Sequence, residues 1–195
     1  VRVQKEAFPE AAWNHGKLIG LPQAKLFDIA KEKCPSVSVY GLKEGETVET
    51  LAPDVPLDLQ VPAENYAALV EALKSDGDTD LDFLIDVTAV DWVDHFDVIA
   101  QLMSTEKGHK VFLRVSLPKS ADVPEEKRAT SVLASLPSIT GIYPAAEWKE
   151  REVYDMFGIN FTGHPDMRRI FLGKDFPGFP LRKDFTHPHI IRKAV

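Results

Sequence analysis

The sequence predicts an α+β fold of two layers: a mostly antiparallel sheet covered by helices, followed by an irregular C-terminal arm. Three observations predict it. Extended runs at 83–92, 96–103 and 111–117 are separated by hairpin-sized gaps, which makes them antiparallel neighbours. Segments with helical spacing lie before and after these runs. Beyond Gly163 regular periodicity disappears and prolines recur at Pro165, Pro177, Pro180 and Pro188.

Taken in order, Pro22 suits a helix start, and Ala24, Leu26, Phe27, Ile29 and Ala30 give the following helix its apolar face until Pro35 stops it. Val37, Val39 and Tyr40 alternate as a short strand, and 41–49 is a charged turn. Strict alternation of Val55, Leu57, Leu59 and Val61 predicts a half-buried strand. A helix spans 63–74 with Tyr66, Leu69, Val70 and Leu73 on one side, and Asp76-Gly77-Asp78 closes it. After the three strands, a helix over 124–136 begins at Pro124 and buries Val132, Leu133 and Leu136. The resulting division is 1–50, an N-terminal helix and loosely extended segment; 51–163, the α+β core with a helix at 145–157; and 164–195, a docking arm ordered by what it packs against.

Composition excludes several classes. A chain of 195 residues with 44% hydrophobic and 27% charged side chains can bury a core without a disulfide or metal. Its apolar runs fall well short of the roughly 20 residues a spanning helix needs, and no apolar run of signal-peptide length follows the N-terminus. The one cysteine, Cys34, cannot supply the four thiolates of a typical iron–sulfur cluster and reads as a buried apolar residue in a reducing compartment. Of the net charge of −7, residues 1–146 carry −9 and residues 147–195 carry +2. The acidic body argues against nucleic acid and anionic membrane as main partners.

The stretch from Trp148 to Pro165 carries the most information. Pro144 can precede a helix over 145–157, and Gly158 can cap it in the left-handed conformation. Glu147, Arg151 and Asp155 fall at i, i+4 and i+8, an acid–base–acid ladder along one face. Ile159 and Phe161 then alternate as a short strand, broken by Gly163. Clustered carboxylates beside an arginine could be an acid–base set, but an arginine pins its partner in the ionised form, whereas general acids and bases need pKa values moved toward neutrality. A structural ion ladder at an interface is the better reading.

This stretch resembles the signature of the thirty-kilodalton subunit of respiratory complex I, a Glu-Arg-Glu-x-x-Asp-x-x-Gly-Ile-x-Phe-x-Gly-His-Pro pattern met here from Glu150 to Pro165. The likeness runs on through Asp166-Met167-Arg168-Arg169-Ile170-Phe171 and returns in Gly178-Phe179-Pro180-Leu181-Arg182-Lys183-Asp184-Phe185; upstream, Asp86 to Asp91 is similar to the family's central strand. Two departures are Phe176, where the family commonly has Trp, and Phe179, where it has His. The resemblance implies a non-catalytic structural subunit of the peripheral arm of a proton-translocating NADH:quinone oxidoreductase. Such a subunit binds no cofactor itself, while NADH, FMN, iron–sulfur clusters and quinone belong to the whole complex. It would hold the large quinone-site subunit and the iron–sulfur subunits in register on the cytoplasmic (or matrix) face of the membrane, touching the membrane only through the complex. The related alternative is the same scaffold in a membrane-bound hydrogenase or an F420H2- or ferredoxin-driven relative. The signature and interface candidates are Glu147, Glu150, Arg151, Glu152, Asp155, Gly158, Gly163, His164, Pro165, Arg168, Arg169, Arg182, Lys183 and Asp184, with Arg168, Arg169, Arg182 and Lys183 expected to meet partner carboxylates. No catalytic, cofactor-binding or metal residue is assigned.

Other constellations are weaker. His187-Pro188-His189 with His164 could suggest a metal site, but the proline favours an extended backbone that points the flanking rings apart. The basic, aromatic tail could stack on nucleic acid, though aromatics and arginines equally anchor protein interfaces. Asp86, Asp91, Asp94 and Asp97 lack the Gly and Glu spacing of an EF-hand and read as a solvated strand end. A stand-alone hydrolase would turn over substrate as the purified chain.

Overall fold

In the computed structural model, residues 20–51 and 55–186 are described. Helix α1 (Gln23–Lys33) starts behind Pro22 and buries Leu26 and Ala30. Strand β1 (Ser38–Val39) pairs antiparallel with β2 (Leu57–Gln60), whose Leu57 and Leu59 point inward while Val55, expected to extend this strand, is exposed. Pro62 ends β2, a 3-10 turn over Ala63–Asn65 follows, and α2 (Tyr66–Ser75) buries Tyr66, Leu69, Val70 and Leu73. Strands β3 (Phe83–Asp91), β4 (His95–Met103) and β5 (Lys110–Pro118) form the expected antiparallel meander, with a bulge between Leu84 and Asp86.

The five-stranded order is β1-β2-β5-β4-β3, with β2 parallel to β5 and every other pairing antiparallel. The stretch Asp86 to Asp91 therefore lies on an edge strand, not a central one. Period-two patterning separates the faces. Val111, Leu113, Val115 and Leu117 of β5 join Phe96, Val98, Ala100 and Leu102 of β4 in the core. The opposite face carries an ion cluster: the Arg114 guanidinium reaches Asp58 at 2.6 Å and Asp97 at 3.2 Å and lies 3.9 Å from the Tyr40 ring centroid. Asp97 also accepts the Trp92 indole N–H and the Ser116 hydroxyl. The solvated strand end read from the aspartates is thus corrected: Asp91 and Asp97 are buried and paired, because long cationic side chains from β5 and beyond it reach them. Cys34 is buried, as expected.

The helix predicted over 124–136 is one turn, α3 (Glu125–Arg128), followed by strand β6 (Ala134–Pro137). Helix α4 (Ala146–Phe157) and strand β7 (Ile159–Thr162) come next. Strand β6 pairs in parallel with β7, with Ala134 opposite Ile159 and Leu136 opposite Phe161. Leu133 and Leu136 are buried as predicted, and Val132 is exposed. Their i, i+3 spacing fits a helix, but a strand edge offered by distant residues decides otherwise.

Leu113 is fully buried on the middle strand of the larger sheet. Leu113→Ala is expected to destabilise the isolated chain by about 2–5 kcal/mol through lost transfer energy and a residual cavity, measured by urea denaturation.

Candidate functional site

The signature folds into α4, and its end sets up everything around it. Gly158 sits in the left-handed region at φ 69° and its N–H bonds back to the Tyr154 carbonyl, as a glycine cap should. The bare α-carbon has a second use: a Cβ there would lie 2.5 Å from the Phe179 ring. The arm therefore packs against the helix end where no side chain intervenes. Phe179, in place of the family's usual histidine, is buried and meets Tyr154 edge-on.

Glu150, Arg151 and Asp155 each take a separate set of partners. Glu150 is fully buried, accepting the Ser138 hydroxyl at 2.6 Å and the Ile139 amide at 2.8 Å. Burial pushes its carboxyl above the usual range, and the Ser138 and Ile139 hydrogen bonds and nearby His164 only partly oppose this. Arg151 donates through Nε to the Arg168 carbonyl at 2.9 Å, lies 3.7 Å from Asp166, and stacks 5.1 Å from the Trp148 ring centroid. Asp155 receives the amides of Ile170, Phe171 and Leu172 on one oxygen, at 3.1, 2.8 and 3.1 Å, and the Arg169 guanidinium on the other at 2.8 Å. Burial alone would raise the Asp155 carboxyl; the Phe171 and Leu172 amides, Arg169 and the Ile170 amide overcome this and hold it below the ordinary aspartate value. The expected Glu147–Arg151–Asp155 ladder is therefore not formed. The arm runs along α4 and supplies Arg151 and Asp155 with partners better placed than a neighbour one turn away.

The link from β7 to the arm is ordered too. Gly163 turns the chain at φ 86°, with Pro165 just beyond. The His164 ring bridges the Glu147 carbonyl at Nε2, 3.0 Å away, and the Asp166 amide at Nδ1, also 3.0 Å away, which requires the Nε2–H tautomer. His164 is thus a structural connector. His187 and His189 lie outside the described residues, as do Arg192 and Lys193. Among the described residues, no group of three His, Cys, Asp or Glu side chains is placed to hold a metal ion, and no helix is long and apolar enough to cross a membrane.

A second clasp holds the end of the arm. Arg182 is buried, forms a two-pronged pair with Asp184 at 3.0 and 2.7 Å, and donates to the Ser131 carbonyl at 2.8 Å. The Lys183 amide donates to Asp91 at 2.7 Å, and Asp91 pairs with the Lys119 ammonium at 2.5 Å. Phe176 stacks on Phe185 with centroids 5.8 Å apart. Burial would raise the Asp184 carboxyl, but Arg182, helped by Lys119, brings it below its usual value.

For Arg169 and Arg182 these contacts correct the reading of the basic tail as a set of cations for partner carboxylates. Arg169 and Arg182 are spent inside the chain, and exposed Arg168 is held by Asp166 at 2.6 Å. Lys183 lies with its ammonium 5.4 Å from the Trp92 ring centroid. Residues that sequence reasoning missed are Ser138, Lys119 and Ser131, whose roles depend on contacts across the fold and leave no local signal. Of the carboxylates between Glu150 and Pro165, Glu150 and Asp155 are buried and Glu152 stays on the exposed surface.

Sheet, signature helix and doubly clasped arm together define the class: an α+β chain with a mostly antiparallel five-stranded sheet. The same fold is seen in a chain of the membrane-bound sulfane sulfur reductase, an archaeal respiratory membrane complex, with a TM-score of 0.63 and 24% identity over 84% of this chain and 85% of that one. The family itself follows from sequence. The model of the respiratory-chain NADH dehydrogenase 30 Kd subunit matches residues 59–189, and the chain belongs to that family. It is similar to the NADH-quinone oxidoreductase C-subunit of Roseobacter denitrificans, 43% identical over 132 residues (66% of this chain, 60% of that protein), and to that of Rhodobacter capsulatus, 36% identical over 146 residues (73% and 67%). The chain spans about 60% of the length of the first of these curated relatives.

Because the Asp155 carboxyl is held low in the folded chain, its stabilisation is present above the unfolded aspartate value of roughly 3.9 and is lost as pH falls through the folded value. Asp155→Ala is expected to cost about 3–5 kcal/mol at pH 7, leaving Arg169 and three amides without their acceptor. The difference from the parent should shrink below pH 4 in urea melts. A constant difference across that range would mean the charge is not what matters.

Proposed function

We propose that this chain is a non-catalytic structural subunit of the peripheral arm of a proton-translocating NADH:quinone oxidoreductase. In that role it holds the large quinone-site subunit and the iron–sulfur subunits in register. NADH, FMN, the clusters and quinone are handled by those other subunits, and this chain supplies fixed geometry at the cytoplasmic (or matrix) face of the membrane. Rigidity matters there because electron transfer weakens steeply with distance.

One observation carries the reading. Three of the signature's charged groups are consumed in fastening the arm: Asp155 by three amides and Arg169, Arg151 by arm carbonyls, Arg182 by Asp184 and Ser131. A carboxylate held ionised and fully hydrogen-bonded is poorly suited to proton transfer near neutral pH and well suited to rigidity. Family membership points the same way, and the NADH-quinone oxidoreductase relatives at about 40% identity favour the NADH-linked assembly over the sulfur-reducing one at 24%.

The test is purification of the native assembly through a tag on this chain, with identification of the subunits that accompany it. Flavin- and cluster-bearing subunits should co-purify, and isolated chain should contain neither group. Asp155→Ala should lower the amount of assembled complex, with quinone reductase activity falling in proportion and activity per assembled complex unchanged. Full assembly with lost turnover would instead make Asp155 part of the chemistry.

A further inference from the structure

Once the arm is fastened, one side of α4 is left with features that fastening does not use. Trp148 and Phe171 are 60% and 64% exposed, the two most exposed aromatic side chains among the described residues. Single exposed apolar residues are ordinary; these two are linked by geometry. At about 100° of rotation per residue, Trp148, Glu152 and Asp155 fall within about 60° of arc on α4. Asp155 takes the Phe171 amide, and Arg151, stacked on Trp148, takes the Arg168 carbonyl. The arm therefore runs along this side of the helix, with Trp148 towards one end of the ridge and Phe171 towards the other.

Glu152 lies one turn beyond Trp148 on the same side. Its carboxylate and that of Glu147 enter no ion pair or hydrogen bond among the described residues, whereas Glu150 and Asp155 are fully engaged. An exposed carboxylate one turn from one exposed ring, on the side of the helix where the arm carries another, calls for a cation carried on an apolar stem. Arginine satisfies both demands, pairing with Glu152 and covering an aromatic face.

We infer that the Trp148–Glu152–Phe171 ridge is a protein-docking surface for a segment of a partner subunit that presents an arginine or lysine flanked by an apolar side chain. The inference rests on the subunit reading above and adds which face is used and what chemistry fits it. Two other occupants fit less well. A second copy would bring a chain of net charge −7 against Glu147 and Glu152, and an anionic membrane would be repelled by the same carboxylates.

The test uses the full chain in its native assembly. A photo-crosslinking p-benzoylphenylalanine is placed at Trp148 or at Phe171, and the cross-linked peptides are identified. Both positions should mark the same partner subunit, within a segment containing Arg or Lys. Glu152→Lys should lower retention of that subunit about tenfold or more by setting like charges together. The urea midpoint of the isolated chain should stay unchanged, since Glu152 holds nothing in the fold. Cross-links to a second copy or to lipid overturn the inference, as does Glu152→Lys with full retention. If partners co-purify normally yet neither position cross-links to them, the ridge is wrong while the subunit reading stands. If the chain is found free of any redox assembly, both fail.

Discussion

A carboxylate taken out of water stays charged only if the protein replaces its hydration shell, and Asp155 shows how completely this chain does so. Three consecutive amides of the arm converge on one oxygen and a guanidinium on the other. The exchange works in both directions. The carboxylate gains donors, and a stretch of arm with no helix or strand of its own gains partners for its backbone groups, which burial demands. Without that acceptor, residues 170–172 would have little reason to lie where they do. With it, the arm is positioned against α4, and the remaining contacts follow.

The glycine cap makes this attachment possible. Gly158 ends α4 in a conformation that other residues adopt at a cost, and its missing side chain leaves room for the Phe179 ring. Arg169 links the two ends of the arrangement. It pairs with Asp155, donates to the Gly178 carbonyl at 2.9 Å, and lies 4.9 Å from the Phe179 ring centroid. Further along, the Lys183 amide, between Arg182 and Asp184, donates to Asp91 of the Asp91–Lys119 pair, which ties the arm's end to the β3–β4 hairpin. Irregular backbone is held by charge at both ends and by aromatic packing between them. This combination gives Arg151, Asp155 and Arg182 their partners inside the chain.

Much of the framework is legible in the chain itself. The strand meander announces itself through alternation, as in Val111, Leu113 and Val115, because a sheet with one buried face imposes a period of two. Helix α4 is visible from its proline before, its glycine after and its apolar stripe of Ala146 and Val153. The failures share a cause. Local spacing from Val132 to Leu136 allows a helix, whereas the neighbouring strand that recruits β6 lies over twenty residues away. The ladder of Glu147, Arg151 and Asp155 is likewise a local inference. Side chains one turn apart in an exposed helix gain only tenths of a kcal/mol, so arm groups with better geometry displace it.

The amino-acid order by itself determined the periodicities, the helix caps, the shortage of thiols and the spaced signature that marks the family. Those are properties of neighbours along the chain, or of composition, and need no knowledge of what comes to rest against them. Tertiary structure alone decided which oxygens Arg151, Arg169 and Arg182 found, that Arg169 and Arg182 turn inward, and that β3 is an edge. It also decided that Trp148, Glu152 and Phe171 are left facing outward together. Those outcomes depend on which distant groups come within contact distance, and hydrogen bonding and Coulomb attraction act through a few ångströms of space, whatever the separation in sequence.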